Sequence, residues 1–254
     1  MCTLAIYFDV FTRWPVVIAA NRDEVLSRPA LPPTTLTEHP HIVGGKDLVA
    51  AGTWLAINEY GVVAGLLNRR QVVPNNPALR SRGLLCVEAL AHRGVREALN
   101  FVTRQDPAAY NPFNLLLASR EHSAVAHNRG GRIQTTWLQP GLHLLTNLDV
   151  NDFECPRISR SYDRFAALAA NPQWDDGAEL RQRLHELLAD HSTQLDPRSG
   201  QPNSLCIHRA GYGTRCSSLI FIGTDGTVEH YFAAGPPCTT DYAPAPVPGR
   251  ARAI

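Results

Sequence analysis

The second residue of the chain is a cysteine, and it begins an alternating run, MCTLAIYFDV. Leu4, Ile6 and Phe8 share a face with Cys2, and this period of two predicts a β-strand with the thiol at its buried end. If Met1 is removed, Cys2 carries a free α-amino group, whose reference pKa is about 7.7–8.0, next to its thiol. The sequence therefore predicts an N-terminal nucleophile that carries its own base.

Strong hydrogen-bonding residues stand at the ends of other predicted strands. Asn21 and Asp23 end VVIAANRD and lie on one face of it, Asn68 ends VVAGLLN, Asn147 ends GLHLLTN, and Arg215 begins a strand in YGTR. Asparagine also closes strands simply because it tolerates turn geometry. The recurrence of the pattern beside a terminal cysteine strand favours a polar site over that structural explanation.

These residues suit an attack on a carbonyl carbon. The Cys2 thiolate is the nucleophile, and the freed α-amine shuttles the proton. Asn68 and Asn147 can donate amide N–H bonds to the developing oxyanion. Asp23 can accept from the ammonium and orient it, and the charge of Arg215 can lower the thiol pKa.

The elements that must position these residues alternate between strands and helices. The pattern predicts strands over 2–10 and within PVVIAANRDE, a long loop over 25–43 with four prolines, and a hairpin of 53–58 and 62–68. Helical spacing follows over 81–92 and 94–104, then strands within 113–147, helices over 158–170 and 178–191, and final strands within 204–234. This order predicts an α+β fold, an αββα sandwich of stacked antiparallel sheets covered by helices.

The predicted domain organisation is one domain over residues 1–235 and a Pro-rich tail over 236–254. The tail holds five prolines, at positions 236, 237, 244, 246 and 248. Proline cannot donate to a β-ladder, so we expect the tail to lie outside the sheets.

Composition excludes several classes of function. A formal net charge of +1 favours neither nucleic acid nor an anionic membrane as a partner. The six cysteines form no CxxC pair, which favours reduced thiols and a cytoplasmic location, and no leader or membrane span is expected. Walker, GxGxxG, GxSxG and HExxH motifs do not occur.

Seven ordered blocks carry a family resemblance: MCTL, AANRDE followed by RP, GGKDL, GTWLAIN, LLNRR, LTN and YGTRCSS. Together they resemble the NRDE proteins, also called the transport and Golgi organisation 2 family, from residue 1 to about 232. More distantly, that family is similar to the N-terminal-nucleophile (Ntn) hydrolases of the choloylglycine hydrolase and penicillin V acylase group. This resemblance implies the αββα sandwich and assigns catalytic positions to Cys2, Asp23, Asn68, Asn147 and Arg215.

The chain departs from those hydrolases at one position. They usually carry an arginine three residues before the aspartate, where this chain has Ala20. Arg22 is close in sequence, but alternation places it on the face opposite Asp23.

A second hypothesis follows from the family context, which is linked to haem trafficking and to lipid or acyl-CoA metabolism. The same pocket would then bind haem or an acyl lipid without catalysis, whereas the hydrolase hypothesis needs no cofactor and takes an acyl amide or acyl-CoA. His208 is the candidate axial haem ligand, although a structural histidine at a strand end is the competing explanation. Four further residues are candidates for binding a carboxylate, propionate or CoA phosphate: Asn21, Arg22, Arg69 and Arg70. For Arg69 and Arg70 the alternative is a solvated position on the surface.

Overall fold

A computed structural model describes residues 2–71, 74–171, 174, 177–191, 195 and 203–249 of the chain. The strands are β1 (Thr3–Phe8), β2 (Val16–Val25), β3 (Ala30–Glu38), β4 (His41–Asp47), β5 (Leu55–Asn58), β6 (Val63–Asn68), β7 (Phe113–Ala118), β8 (Ser123–Asn128), β9 (Ile133–Trp137), β10 (Gly141–Leu145), β11 (His208–Arg209), β12 (Tyr212–Ile222), β13 (Val228–Ala233) and β14 (Ala243–Pro244). The α-helices are α1 (Arg82–Ala89), α2 (Val95–Thr103), α3 (Pro156–Ala169) and α4 (Gly177–Leu188).

The predicted α+β class is confirmed, and the described residues form two antiparallel sheets and two pairs of helices. The chain divides into two compact units, one of Met1–Ser27 with Pro140–Ala245 and one of Arg28–Gln139 with Pro246–Ile254. Each unit holds one sheet and one helix pair. Within the described part of the chain, no helix has both the length and the apolar character needed to cross a membrane.

The first unit is built on the sheet β10-β1-β2-β12-β13-β14, with β11 added to β12. One face of β1 and β2 packs on α3 and α4, because the odd-numbered residues Ala5, Tyr7, Val17 and Ala19 belong to a core shared with those helices. The Tyr7 hydroxyl extends through that core and donates to the carbonyl of Phe165 at 2.8 Å. The helices therefore cover the face of the sheet that carries the odd-numbered residues of β1 and β2.

The second unit is the sequential sheet β3-β4-β5-β6-β7-β8-β9, on which α1 and α2 pack. Ser81 caps α1 by accepting from the Leu84 N–H. Gly52 permits the close approach of α1, since a Cβ there would lie 2.1 Å from the backbone carbon of Gly83. Asn58 fixes the other end of the helix by donating to the carbonyls of Leu90 and His92.

Two expectations about irregular segments are wrong. Residues 25–43 are not a long loop, because β3 and β4 pair there from Ala30↔Asp47 onward. Pro32 and Pro33 fall at a register irregularity of β3, the edge strand of its sheet, where a missing N–H costs least. The tail also joins a sheet, because Pro244 of β14 pairs with Tyr231 of β13, and β14 is an edge strand of the first unit's sheet. Its last residues, 250–254, lie outside the described residues.

Candidate functional site

Cys2 lies immediately before β1, half-buried, between the ends of two neighbouring strands. Leu4 pairs with Ala20 of β2 on one side and with Leu145 of β10 on the other. The β1–β2 ladder ends at the pair Thr3↔Asn21, so the next residues of the two segments are Cys2 and Arg22, and the charge of Arg22 acts on the thiol. The β1–β10 ladder ends at Leu4↔Leu145, two residues before Asn147, so the place of Asn147 beside Cys2 stays a prediction.

Burial dominates the electrostatics of the Cys2 thiol. Burial raises the pKa of the thiol, the charge of Asp23 raises it further, and the charge of Arg22 has a smaller effect that lowers it. Arg22 is itself buried, with 6% of its surface exposed. Successive side chains of a strand point to opposite faces, so Arg22 and Asp23 lie on different faces of the sheet, as expected. Arg22 is on the face that Cys2 occupies. Arg22 supplies positive charge on the face where Ala20 lacks it.

The Asp23 carboxylate is buried on the helix-covered face and held by two donors. The Thr214 hydroxyl donates to Oδ1 at 2.6 Å, and Arg157 Nη1 donates to Oδ2 at 2.9 Å. Burial raises the pKa of the Asp23 carboxyl, while the Arg157 charge and the Thr214 hydrogen bond act to lower it. The backbone carbonyl of Asp23 lies 3.9 Å from the Cys2 sulfur and accepts from the Tyr212 hydroxyl at 3.1 Å. The carboxylate and the backbone carbonyl of Asp23 thus both make contacts at the site.

Arg157 is the site residue that sequence reasoning missed. It lies on α3, 134 residues from Asp23, and its side chain is 5% exposed. Arg157 also donates to the Thr3 hydroxyl at 3.3 Å, next to Cys2 in the chain. A sequence signal exists, because Arg157 shares the buried face of α3 with Ile158, Ser161 and Phe165. An arginine at a core position of an amphipathic helix indicates a buried acidic partner.

Arg215 occupies a β-bulge between β2 and β12. Thr214 pairs with Asp23 and Cys216 pairs with Arg22, so Arg215 is the extra residue between them. Bulges commonly redirect a side chain beside a functional site. The Arg215 Nε is buried without a hydrogen-bond partner among the residues described. Its charge lowers the pKa of the Cys216 thiol, although burial dominates there and raises that pKa to about 12.

Asn21 has a structural place in the first unit. Its Nδ2 donates to the carbonyls of Leu188 and Leu205, at 2.9 and 3.0 Å, and its Oδ1 accepts from the Ser217 hydroxyl at 2.6 Å. Because these bonds tie α4 and the segment before β11 to the sheet, they argue against the expected role of Asn21 in binding a ligand.

The remaining predicted residues of the LLNRR block lie in the second unit. Asn68 ends β6 with its side chain exposed, and Arg70 is exposed as well. Arg69 Nη1 donates to Asn114 Oδ1 at 2.9 Å, and the same oxygen lies 3.0 Å from Nδ1 of the buried His127. Arg69 therefore takes part in an internal polar network, and the oxyanion role of Asn68 stays a prediction.

His208 does not stand alone. Its Nε2 lies 3.1 Å from Cys238 Sγ and 3.6 Å from Cys206 Sγ, and the two sulfurs are 3.7 Å apart. His208 also lines a cleft of about 320 Å³ beside Thr214 and Tyr212. An axial ligand to haem would face a flat porphyrin, whereas here two thiols surround the imidazole nitrogen. The arrangement suits a bare ion better than haem, and haem binding stays a prediction.

Sequence comparison finds relatives over most of the chain. The model of the family described as Transport and Golgi organisation 2 matches residues 1–232. The chain is 26% identical to the Transport and Golgi organization protein 2 homolog of Bos taurus and 25% identical to that of Homo sapiens, over 90% of this chain and 91% of each relative.

Solved structures share the fold at low sequence identity. Penicillin V acylase from Agrobacterium tumefaciens matches with a TM-score of 0.57 and 15% identity, over 92% of this chain and 83% of the acylase. The mutant C2A of conjugated bile acid hydrolase from Clostridium perfringens matches with a TM-score of 0.60 and 10% identity, over 100% of this chain and 99% of the hydrolase. The N-acylethanolamine-hydrolyzing acid amidase ortholog of Caenorhabditis elegans gives 0.56 and 12%, over 86% and 92% of the two chains. The expected Ntn-hydrolase fold is confirmed.

Proposed function

Since the chain belongs to the Transport and Golgi organisation 2 family and has the fold of Ntn hydrolases, we propose that it is a cysteine hydrolase or acyltransferase. Its substrates are amide or acyl compounds, and Cys2 is the nucleophile once Met1 has been removed. The observation that carries this proposal is the position of Cys2 at the end of the β1–β2 ladder beside Arg22, next to an Asp23 whose carboxylate is held by Arg157 and Thr214.

The proposed reaction follows from the positions of these groups. The α-amine of the processed Cys2 accepts the thiol proton, and the sulfur attacks the carbonyl carbon. Asn147 donates to the oxyanion of the tetrahedral intermediate. In an amide the C–N bond then breaks and the amine leaves with the proton, and in an acyl-CoA the C–S bond breaks and the CoA thiol leaves with it. Water, or an acceptor nucleophile in a transfer reaction, then attacks the thioester and releases the acyl group and the thiol. Arg22 stabilises the thiolate by its charge.

The neighbouring structures suggest the class of substrate. Their names describe an acylase, a hydrolase of conjugated bile acids and an amidase that hydrolyses N-acylethanolamines. The bile acid hydrolase was solved with its own second residue, a cysteine, replaced by alanine. We therefore propose an N-acyl amide with an apolar acyl chain, or the corresponding acyl-CoA. The buried, unpartnered Nε of Arg215 is a candidate donor to a polar group of that substrate.

The test starts with the intact mass of the purified protein and a limiting dose of iodoacetamide. Loss of Met1 with a single adduct on Cys2, and turnover of an N-acyl amide or acyl-CoA panel that Cys2→Ala abolishes, would support the proposal. Cys86→Ala is the matched control. Cys86 is a buried residue of α1 in the second unit and has no role in the proposed reaction, so this variant should retain turnover. A full-length mass with Cys2 unreactive would refute the catalytic role.

A ligand carrier is the second candidate, and one observation favours it. Burial raises the pKa of the Cys2 thiol, which favours an unreactive thiol wherever the α-amine is blocked by Met1. In that case an acyl lipid or haem would bind without turnover and would still bind to Cys2→Ala. Titration of haemin and of a fluorescent acyl-CoA into wild type and Cys2→Ala, with product analysis of the same mixtures, separates the two candidates, because only the hydrolase consumes its ligand and loses that turnover in Cys2→Ala.

A further inference from the structure

The Cys206, His208 and Cys238 side chains converge at one end of the first unit, away from Cys2 in sequence. Their ligand atoms all lie within 4.8 Å of one another, in the part of the chain that the structure describes. We propose that these three residues form a binding site for a borderline-soft divalent transition metal, with Zn²⁺ as the first candidate. The proposed hydrolase reaction does not require this site, and a metal bound here would occupy the His208 nitrogen that the haem-carrier hypothesis assigns as an axial ligand.

The spacing of the three atoms fits a tetrahedral ion. With Zn–S near 2.3 Å and Zn–N near 2.0–2.1 Å, tetrahedral angles place two sulfurs about 3.8 Å apart and a sulfur and a nitrogen about 3.6 Å apart. The sulfurs of Cys206 and Cys238 are 3.7 Å apart, and His208 Nε2 is 3.6 Å from Cys206 Sγ. The third distance, 3.1 Å from His208 Nε2 to Cys238 Sγ, is shorter than the tetrahedral value, and His208 is exposed.

The backbone that carries the ligands is firmly anchored. The Cys206 N–H donates to the Asp190 carbonyl at 2.8 Å, and the neighbouring Ile207 exchanges hydrogen bonds with Thr214. Cys238 lies in a turn closed by a bond from the Thr239 N–H to the Pro236 carbonyl at 3.0 Å. The next carbonyl, that of Pro237, lies 2.7 Å from Nε2 of His185 on α4. Ligands on fixed backbone are what a preorganised metal site requires.

The ligand types select the metal. Two thiolates and an imidazole favour Zn²⁺ over Mg²⁺ or Ca²⁺, which prefer oxygen ligands. Binding would release the two thiol protons and leave a fourth position for water. That position would face solvent or the cleft that His208 lines. The ion would tie the turn after β13 to the start of β11.

The test uses the full chain, reduced and stripped of metal with a chelator, and titrated with Co²⁺ as a spectroscopic substitute for Zn²⁺. We expect one Co²⁺ per chain, with a thiolate-to-cobalt band in the near ultraviolet and the intense visible bands of a tetrahedral ion. Cys206→Ser and Cys238→Ser should each remove the thiolate band or reduce it by half, and His208→Gln should weaken Zn²⁺ binding by roughly 100-fold or more.

Two matched controls separate this site from other thiols. Cys86→Ser removes a buried cysteine of the second unit, and Cys2→Ala removes the proposed nucleophile. Both variants should keep the cobalt band, and Mg²⁺ should not displace the ion. The proposal is overturned if the reduced wild type shows no thiolate band, if Cys86→Ser or Cys2→Ala loses it, or if Cys206 and Cys238 form a disulfide that persists under reducing conditions. Far-ultraviolet circular dichroism of each serine variant confirms that a lost band is not a loss of fold.

Discussion

Replacing Arg157 by methionine tests the buried ion pair beneath the candidate site. The pair joins Arg157 Nη1 to Asp23 Oδ2 at 2.9 Å, with side chains 5% and 0% exposed. Removing one partner of such a pair leaves an uncompensated buried charge, which typically costs about 3–5 kcal/mol. A Coulomb energy with an effective dielectric constant of ~20 and charge centres ~4 Å apart gives about 4 kcal/mol, within that range.

The loss should depend on pH in a defined direction. Burial already raises the pKa of the Asp23 carboxyl, and the charge of Arg157 acts to lower it, so the variant raises that pKa further. A carboxyl whose folded pKa lies above its unfolded value of about 3.9 favours the folded state below that value, and this contribution is lost as the pH rises through the folded pKa. The deficit of Arg157→Met relative to wild type should therefore grow from about pH 4 upward and level off above the folded pKa.

Urea unfolding of four proteins provides the measurement: wild type, Arg157→Met, Asp23→Asn and the double variant, each followed from about pH 4 to about pH 8. We expect Asp23→Asn to restore part of the stability lost in Arg157→Met, because it removes the unpaired charge, and to abolish the pH dependence. Arg157→Lys, which keeps a positive charge, should lose less than Arg157→Met. A loss below about 1 kcal/mol in Arg157→Met, typical of an exposed pair, or a double variant no more stable than Arg157→Met, would refute the reasoning.

Three further perturbations have expected outcomes. Gly52→Ala should lower the free energy of unfolding by about 3 kcal/mol, because the new Cβ meets the backbone of α1 at 2.1 Å. Its control, Gly131→Ala, has nothing within 4 Å of the new Cβ and should change that free energy by less than about 0.5 kcal/mol. Equal effects of the two variants in urea unfolding would contradict this. Asn58→Ala should lower the free energy of unfolding by about 3 kcal/mol, because it breaks two donated and two accepted hydrogen bonds. Hydrogen exchange should show an earlier opening of α1, and unchanged exchange would show that Asn58 does not hold the end of that helix. Arg22→Gln should raise the pKa of the Cys2 thiol and slow its alkylation at neutral pH, and an unchanged pH profile would show that Arg22 does not act on the thiol.

Much of the fold could be predicted from the sequence because local pattern and final structure agree there. Alternation in TLAIYF and VVIAAN predicts β1 and β2, since both strands have a side on which apolar side chains recur every second residue. The apolar spacing of α4 predicts that helix for a similar reason, and its Leu180, Leu184, Leu187 and Leu188 are buried. The segments missed are β3, β4 and β14. β3 and β14 hold prolines and few periodic apolar residues, and both are edge strands, where a missing N–H is tolerated. β4 is an interior strand that pairs with both β3 and β5, and its short apolar run ends in Gly44 and Gly45.

The sequence alone determined the chemistry available to this protein: a cysteine behind the initiator methionine, a strand to bury it, and polar residues at the ends of other strands. Only the tertiary structure decided which of these residues meet. Strand register placed Arg22 beside Cys2, a bulge separated Arg215 from the regular ladder, and α3 brought Arg157 to Asp23 across 134 residues. It also gathered Cys206, His208 and Cys238, which show no metal-binding spacing in the chain. The reason is physical: periodicity reports which side of an element is buried, whereas register and packing between distant segments fix which buried groups become partners.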